Sequence, residues 1–129
     1  MTQEDKELLF KDLSARLPYG VICECSHSKT IKATAVDTED LSVYYFDCDE
    51  WESIEHCKPY LRPMSSMTEE ELNECMGLSR TIDIPHVRNW FKFAITNPAF
   101  TDWLNAHHFD HRGLIEKGLA LEAPEGMYK

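Results

Sequence analysis

The sequence of 129 residues predicts an α+β fold: an N-terminal helix, a small curled antiparallel sheet of three to five strands, and about three C-terminal helices. Two observations carry this prediction. Apolar residues recur with a helical period at both ends of the chain and alternate with polar residues in between. A run of strands followed by a run of helices is typical of α+β proteins. We expect one domain over 1–129, with 1–63 as the helix and β-meander half and 64–129 as the helical half.

The first element is a helix over residues 2–17. Thr2 and Asp5 have the spacing of a capping box, and Pro18 with Gly20 ends the helix. Asp12 is expected on the polar side, opposite the apolar stripe. That stripe comprises Leu9, Leu13 and Leu17.

The segment 19–57 changes to a period of two, which predicts a meander of short strands. The clearest strand is 41–48, because it is rich in β-branched and aromatic residues. A weaker strand follows at 51–58. The segment 59–63, with a proline at each end, is predicted to be extended and to lead away from the sheet. This strand half resembles a small SH3-like or Sm-like barrel, an architecture that hosts many unrelated functions.

Helix signals dominate the second half. A capping box from Thr68 to Glu71 opens one helix, Pro85 opens another, and Asn97 caps a third. The tail is mostly irregular, with one short strand predicted at 118–121. The apolar faces of the last two helices comprise Val87, Trp90, Phe91, Ala94 and Ile95, and then Phe100, Trp103, Leu104 and His107.

The chain is strongly acidic, with 23 acidic and 13 basic residues and a net charge of −10. Such a surface repels phosphate backbones and anionic lipid, so we expect no direct binding to nucleic acid or membranes. The general explanation for the charge is solubility. Two more specific readings are a face that docks a basic partner and an acidic nucleic-acid mimic that inhibits a nucleic-acid-binding protein.

The chain shows no apolar run long enough to span a bilayer, and its N-terminus lacks the basic and apolar regions of a signal peptide. We therefore expect a cytoplasmic location and reduced cysteines. An odd number of cysteines also fits poorly with a complete disulfide framework. The five cysteines are Cys23, Cys25, Cys48, Cys57 and Cys75.

Three segments resemble uncharacterised small proteins of gut Bacteroidales genomes and their mobile elements. They are 2–19, 59–71 (PYLRPMSSMTEEE) and 103–128, about half of the chain together. The resemblance implies a bacterial setting and an accessory role in a phage or conjugative element. That family carries no assigned activity, cofactor or catalytic residue, so the resemblance transfers none.

Two groups of residues raise the alternative of a metal-binding protein or a Cys/His-dependent enzyme. Cys23, Cys25 and His27 would project from one face of a strand, but the one-residue spacers suit a zinc knuckle poorly. Small buried core thiols are the other interpretation. His107 and His111 would share a helix face if the helix continued. Histidines at a helix end also interact favourably with its last carbonyls.

No catalytic motif is present: G-x-S-x-G, Walker-type and G-x-G-x-x-G patterns are all missing. His56 and Cys57 are adjacent, but neighbours on a strand face opposite ways, so they do not predict an activated nucleophile. The carboxylates at Asp47, Asp49, Glu50 and Glu52 lack EF-hand spacing. We predict no cofactor, no metal and no catalytic residue, and an enzyme is the less favoured reading.

The leading hypothesis rests on aromatic residues in the strand half. Tyr44 and Phe46 would lie on one side of the sheet, and Val43 and Tyr45 on the other. Core packing is one explanation for these side chains. If one side stays uncovered, Tyr44, Phe46 and Trp51 would instead form a patch that binds another protein, with the nearby carboxylates as a polar rim.

Overall fold

A computed structural model describes residues 1–77 and 98–128. Within them the helices are α1 (Gln3–Arg16), α2 (Glu69–Gly77) and α3 (Pro98–Ala106). The strands are β1 (Ile22–Glu24), β2 (Ile31–Lys32), β3 (Ala35–Asp37), β4 (Ser42–Tyr45), β5 (Glu50–Ser53), β6 (Lys58–Leu61) and β7 (Leu121–Glu122). This order confirms the α+β class with an N-terminal helix. The helix predicted from Pro85, with Trp90 and Phe91, lies outside the described residues.

The N-terminal helix begins where its capping box predicts. The backbone N–H of Asp5 donates to the Thr2 hydroxyl at 3.1 Å, and the N–H of Thr2 donates back to the Asp5 carboxylate at 3.3 Å. Gly20 adopts φ 73° just after the helix, a left-handed conformation that costs glycine little. Leu9 and Leu13 are fully buried as predicted, but so is Asp12, which the sequence pattern placed on the polar side.

The strands form two sheets where the sequence suggested one. One sheet has the order β2-β1-β6-β7, and the other has the order β3-β4-β5. All neighbouring strands are antiparallel except β6 and β7, which run parallel. Parallel pairing joins Tyr60 to Leu121 across a long stretch of chain, which no local pattern can indicate. The C-terminal strand is therefore at Leu121–Glu122, near the predicted 118–121.

The segment 59–63 does not leave the sheet, so that prediction is wrong. Lys58–Leu61 is an inner strand, with Pro59 opposite Cys23. The extended φ that proline imposes suits a strand, and the cost is one missing N–H donor. Two other strands are shorter than predicted: β4 gives way to a 3-10 turn at Phe46–Cys48, and β5 to another at Ile54–His56.

Two apolar clusters stabilise these elements. The first lies where α1 and both sheets meet, and its fully buried members include Leu9, Val21, Val43, Tyr45 and Leu61. The second joins α2, α3 and the segment after α3, with the members Cys75, Phe100, Trp103, Leu104 and Phe109. None of the described helices is long and apolar enough to cross a membrane.

A buried ion cluster ties α1 to the C-terminal segment. Arg16 donates to both oxygens of Asp12 at 2.9 and 3.0 Å and to the carbonyl of Phe109 at 2.6 Å. Arg112 adds a third bond to Asp12 at 2.7 Å. Because Asp12 and Arg16 are fully buried, each charge depends on the other for compensation.

Candidate interaction surface

The inner side of the three-stranded sheet faces the core, and this determines which residues lie on its outer side. Val43 and Tyr45 are fully buried, so alternate residues of β4 point outward. Strand register places Ala35, Tyr44 and Trp51 in one outward row, and Asp37, Ser42 and Ser53 in the next. We call this outward side the aromatic face, with its aromatic row and its polar row.

The aromatic row contains a cross-strand ring pair. The ring centroids of Tyr44 and Trp51 are 5.1 Å apart, and their planes are tilted by 39°. Trp51 is 52% exposed, whereas Tyr44 is half-buried beside it. The Tyr44 hydroxyl donates to the Asp49 carboxylate at 2.5 Å, and this bond raises the pKa of Tyr44. The phenol is therefore protonated at neutral pH, and the bond limits movement of the ring.

Phe46 lies just beyond the end of β4, in the turn Phe46–Cys48, and is 71% exposed. Its ring is outside the Tyr44–Trp51 pair. The turn closes with Asp49 at φ 50°, a conformation that aspartate tolerates better than most residues. The structure thus places all three predicted aromatics at the surface, with two of them in contact.

Negative charge is concentrated in the segment of the chain that forms this face. The segment 33–57 contains eight acidic residues and neither lysine nor arginine. The predictions from the sequence included the total charge and four of these carboxylates but not their segregation, which a count of charges along the chain reveals. The eight are Asp37, Glu39, Asp40, Asp47, Asp49, Glu50, Glu52 and Glu55.

His27 contacts β5, which is an edge strand of the three-stranded sheet. Its Nε2 atom lies 3.0 Å from the Glu50 carboxylate and 3.3 Å from that of Glu52. Ser26 also bonds to Glu52 through its backbone N–H, at 3.2 Å, and through its hydroxyl. These contacts hold the 26–28 turn against β5, so the His27 side chain contacts surface carboxylates instead of the two cysteines.

A surface cavity of about 500 Å³ lies next to Trp51. The polar row contributes Asp37, and Asp40 comes from the turn before β4. Each of these carboxylates accepts one local hydrogen bond through Oδ1, from the backbone N–H of Glu39 at 2.8 Å and from the Ser42 hydroxyl at 2.7 Å. The cavity is lined by Asp37, Asp40, Ser42, Trp51, Glu52 and Ser53.

The first candidate metal group is not assembled. Cys23 and Cys25 are buried in the core, whereas the side chain of His27 is 56% exposed and faces Glu50 and Glu52. Cysteine packing in the core matches the alternative interpretation of these thiols. Within residues 1–77 and 98–128, no group of three or more His, Cys, Asp or Glu side chains is arranged to hold a metal ion.

The histidines after α3 also fail to share a helix face, because α3 ends at Ala106 and His108 adopts φ 59°. His107 contacts Trp103, with 4.1 Å between ring centroids and the planes tilted by 31°. His111 bonds to Asn105 at 2.9 Å, and burial lowers its pKa to about 3. His108 bonds to the carbonyl of Tyr19 at 3.0 Å, and burial lowers its pKa to about 4. Both histidines act as neutral packing groups.

His56 and Cys57 do not form a nucleophile and base. The hydrogen bond with the Cys23 thiol lowers the pKa of Cys57, a change that would favour reactivity. However, Cys57 is fully buried in the first apolar cluster, and His56 is exposed on the surface. A substrate would therefore have no access to the thiol.

Comparison with known proteins adds no further constraint, because no protein-family model, curated sequence or solved structure matches this chain.

Proposed function

We propose that the chain is a non-enzymatic protein-binding module and that the aromatic face is its binding surface. The observation that carries the proposal is the exposed Tyr44–Trp51 pair on the outer side of the sheet, with Trp51 52% exposed. Tryptophan and tyrosine are enriched among the residues that dominate binding energy, because each buries a large area with few rotatable bonds. A core role does not account for a half-exposed tryptophan.

Local contacts support the proposal because they prepare the surface for binding. Tyr44 is held by its ring contact with Trp51 and by its bond to Asp49. Side chains that are already ordered lose less conformational entropy when a partner covers them. The pair can therefore contribute more of its buried area to affinity than two mobile aromatic side chains could.

The charge around the face favours a basic partner over a second copy of the same chain. A symmetric dimer through this face would bring the acidic segment 33–57 against its own copy, and like charges across an interface are costly. A basic partner would be attracted over a distance and would bind faster at low salt. If that partner binds nucleic acid, the alternative of an acidic mimic becomes a special case of this proposal.

The setting belongs to the proposal as well. We propose an accessory protein of a bacterial or mobile-element system that acts in the cytoplasm, on the strength of the resemblance of 2–19, 59–71 and 103–128 to Bacteroidales proteins. The resemblance of the strand half to SH3-like or Sm-like barrels stays a prediction, and binding through the aromatic face does not depend on it.

The test compares proteins captured from an extract of the organism that encodes the chain. The baits are the wild type, Trp51→Ala, the double variant Tyr44→Ala/Trp51→Ala, and Tyr19→Ala as the matched control. Tyr19 is also an exposed aromatic, at 42%, but lies in the turn after α1. We expect the wild type and the control to retain a shared partner that both variants of the aromatic face lose. Identical partner lists from all four baits would contradict the proposal.

A further inference from the structure

We propose that the cavity beside Trp51 receives an arginine side chain from a basic segment of the partner protein. This inference rests on the proposed function, because it names the chemistry that the aromatic face recognises. Three features meet at the cavity: the half-exposed ring of Trp51, the carboxylates of Asp37 and Asp40, and a lining that has no lysine or arginine among the described residues.

The ring supplies the first half of the recognition. Tyr44 packs on one part of Trp51, and the remaining exposed part borders the cavity. A cation held over an indole face is attracted to its π electrons, and tryptophan is the strongest of the aromatic side chains in this role. Guanidinium groups also stack flat on aromatic rings, which a compact ammonium does not do.

The carboxylates supply the second half. Asp37 and Asp40 each use Oδ1 for the bond that shapes the turn before β4. Within the part of the chain that the structure describes, no further hydrogen bond involves either Oδ2 atom, so both can accept from a ligand. A guanidinium has five donors in a planar fork and can bond to carboxylates while its face lies on a ring.

Charge complementarity selects this occupant over others. A phosphate-bearing ligand would meet the carboxylates of Asp37, Asp40 and Glu52, and no lysine or arginine is among the described residues that line the cavity. A second copy would have to offer an arginine from outside the acidic segment 33–57, while the two acidic segments repel each other. A cavity of about 500 Å³ exceeds one side chain, so we expect the arginine to enter as part of an extended peptide.

The test titrates isotope-labelled protein with an acetylated, amidated peptide of glycine and serine that carries arginine at alternate positions. A lysine counterpart and a citrulline counterpart have the same spacing, and citrulline keeps the planar shape without the charge. The readouts are the affinity and the NMR shift of the Trp51 indole N–H, with the buried Trp103 indole as the internal reference. We expect the arginine peptide to move the Trp51 signal and to bind roughly tenfold more tightly than the lysine peptide, a difference of about 1.4 kcal/mol.

Variants then separate a specific site from diffuse attraction. Asp37→Asn and Asp40→Asn remove a charge but keep the Oδ1 acceptor that shapes the turn, whereas Glu39→Gln removes the same charge from an exposed neighbour that does not line the cavity. We expect each asparagine variant to weaken the arginine peptide several-fold more than Glu39→Gln does. Equal effects of all three variants, equal binding of the citrulline peptide, or an unmoved Trp51 signal would each overturn the inference.

Two different results would contradict arginine binding at the cavity and protein binding by the aromatic face. If Trp51→Ala abolishes capture of the partner while the arginine peptide leaves the Trp51 signal unmoved, the face binds proteins but the cavity does not select arginine. If capture survives in Trp51→Ala, the proposed function falls, whatever the peptide does.

Discussion

At the scale of single residues, the least expected feature is the buried charge on α1. Asp12 falls on the polar side of the helical pattern, yet it and Arg16 are fully buried. Burial raises the pKa of Asp12, but the ion pairs with Arg16 and Arg112 outweigh burial and leave the pKa below its usual value. Arg112 lies 100 positions away, so the local sequence gave no sign of this partner.

Replacing Asp12 with asparagine should destabilise the fold strongly. The guanidinium of Arg16 would remain buried without an opposite charge, and breaking such a pair typically costs about 3–5 kcal/mol. Urea unfolding measures the effect. Glu4→Gln, an exposed change in the same helix, should stay within about 0.5 kcal/mol of the wild type. A loss of the same size in both variants would show that the ion cluster does not stabilise the fold.

The buried histidines predict a pH dependence between pH 7 and 5. Burial lowers the pKa of His108 to about 4 and that of His111 to about 3, whereas the ordinary value is 6.5. Below pH 6.5 the unfolded chain therefore binds protons that the folded chain does not. The contribution of these histidines to the free energy of unfolding should be fully present above pH 6.5. It should fall as the pH drops below that value, by up to about 1.4 kcal/mol per pH unit for each histidine.

The pH prediction is checked by urea unfolding of the wild type and His111→Gln across this range. Removing one of the two depressed groups should make the slope shallower. The range lies above the ordinary carboxyl pKa values, so carboxylates contribute little to it. Equal slopes for the two proteins would contradict the assignment of His111 as a buried neutral group.

At the scale of elements, local signals predicted helix starts well and strand pairing poorly. The capping boxes at Thr2 and Thr68 are where the sequence placed them, because each depends on residues a few positions apart. The last helix begins at Pro98, directly after the predicted cap Asn97, which lies outside the described residues. The two sheets depend instead on distant contacts, such as the parallel pair β6–β7 and the bridge between Arg62 and Phe109. No periodicity in one segment specifies its partner in another.

For the candidate surface as well, the local pattern was predictable from the sequence and the long-range arrangement was not. Alternation along β4 separates Tyr44 from Val43 and Tyr45, but it does not say which side is covered. Only the position of the core shows that the Tyr44 side faces outward. Strand register across three strands brings Asp37 near Trp51, and the turn before β4 adds Asp40, so no local pattern in the sequence groups these residues.

The start of α2 offers a test at this scale. Thr68 and Glu71 cap it reciprocally, and Glu71 also accepts two bonds from Arg62 at 2.6 and 2.7 Å, which lower its pKa to about 2. Thr68→Ala should cost about 1 kcal/mol, the usual value for a lost cap. Glu71→Ala should cost more, since it removes the cap and leaves Arg62 without its carboxylate. Thermal or urea unfolding would contradict this if Thr68→Ala were the more damaging change.

At the scale of the whole molecule, opposite sides of the three-stranded sheet carry the stabilising contacts and the proposed binding surface. The first apolar cluster joins α1 to the inner sides of both sheets, and the second apolar cluster and the buried ion cluster join the helices to the C-terminal segment. The aromatic face lies on the outer side of the three-stranded sheet, within the acidic segment 33–57, which contains neither lysine nor arginine. Substitutions at exposed Trp51 or Phe46 should therefore change binding with little change in stability.

The most direct test of the aromatic face is site-specific photo-crosslinking in the native host. Benzoyl-phenylalanine replaces Phe46, which is 71% exposed beside the face, or Tyr19, which is 42% exposed elsewhere. Both replacements put an aromatic group where one already stands. We predict a discrete adduct with another protein from position 46 that is missing from position 19 and lost when Trp51→Ala is added. Equal adducts from both positions, an adduct of only a second copy of the chain, or one that persists in Trp51→Ala would contradict the account.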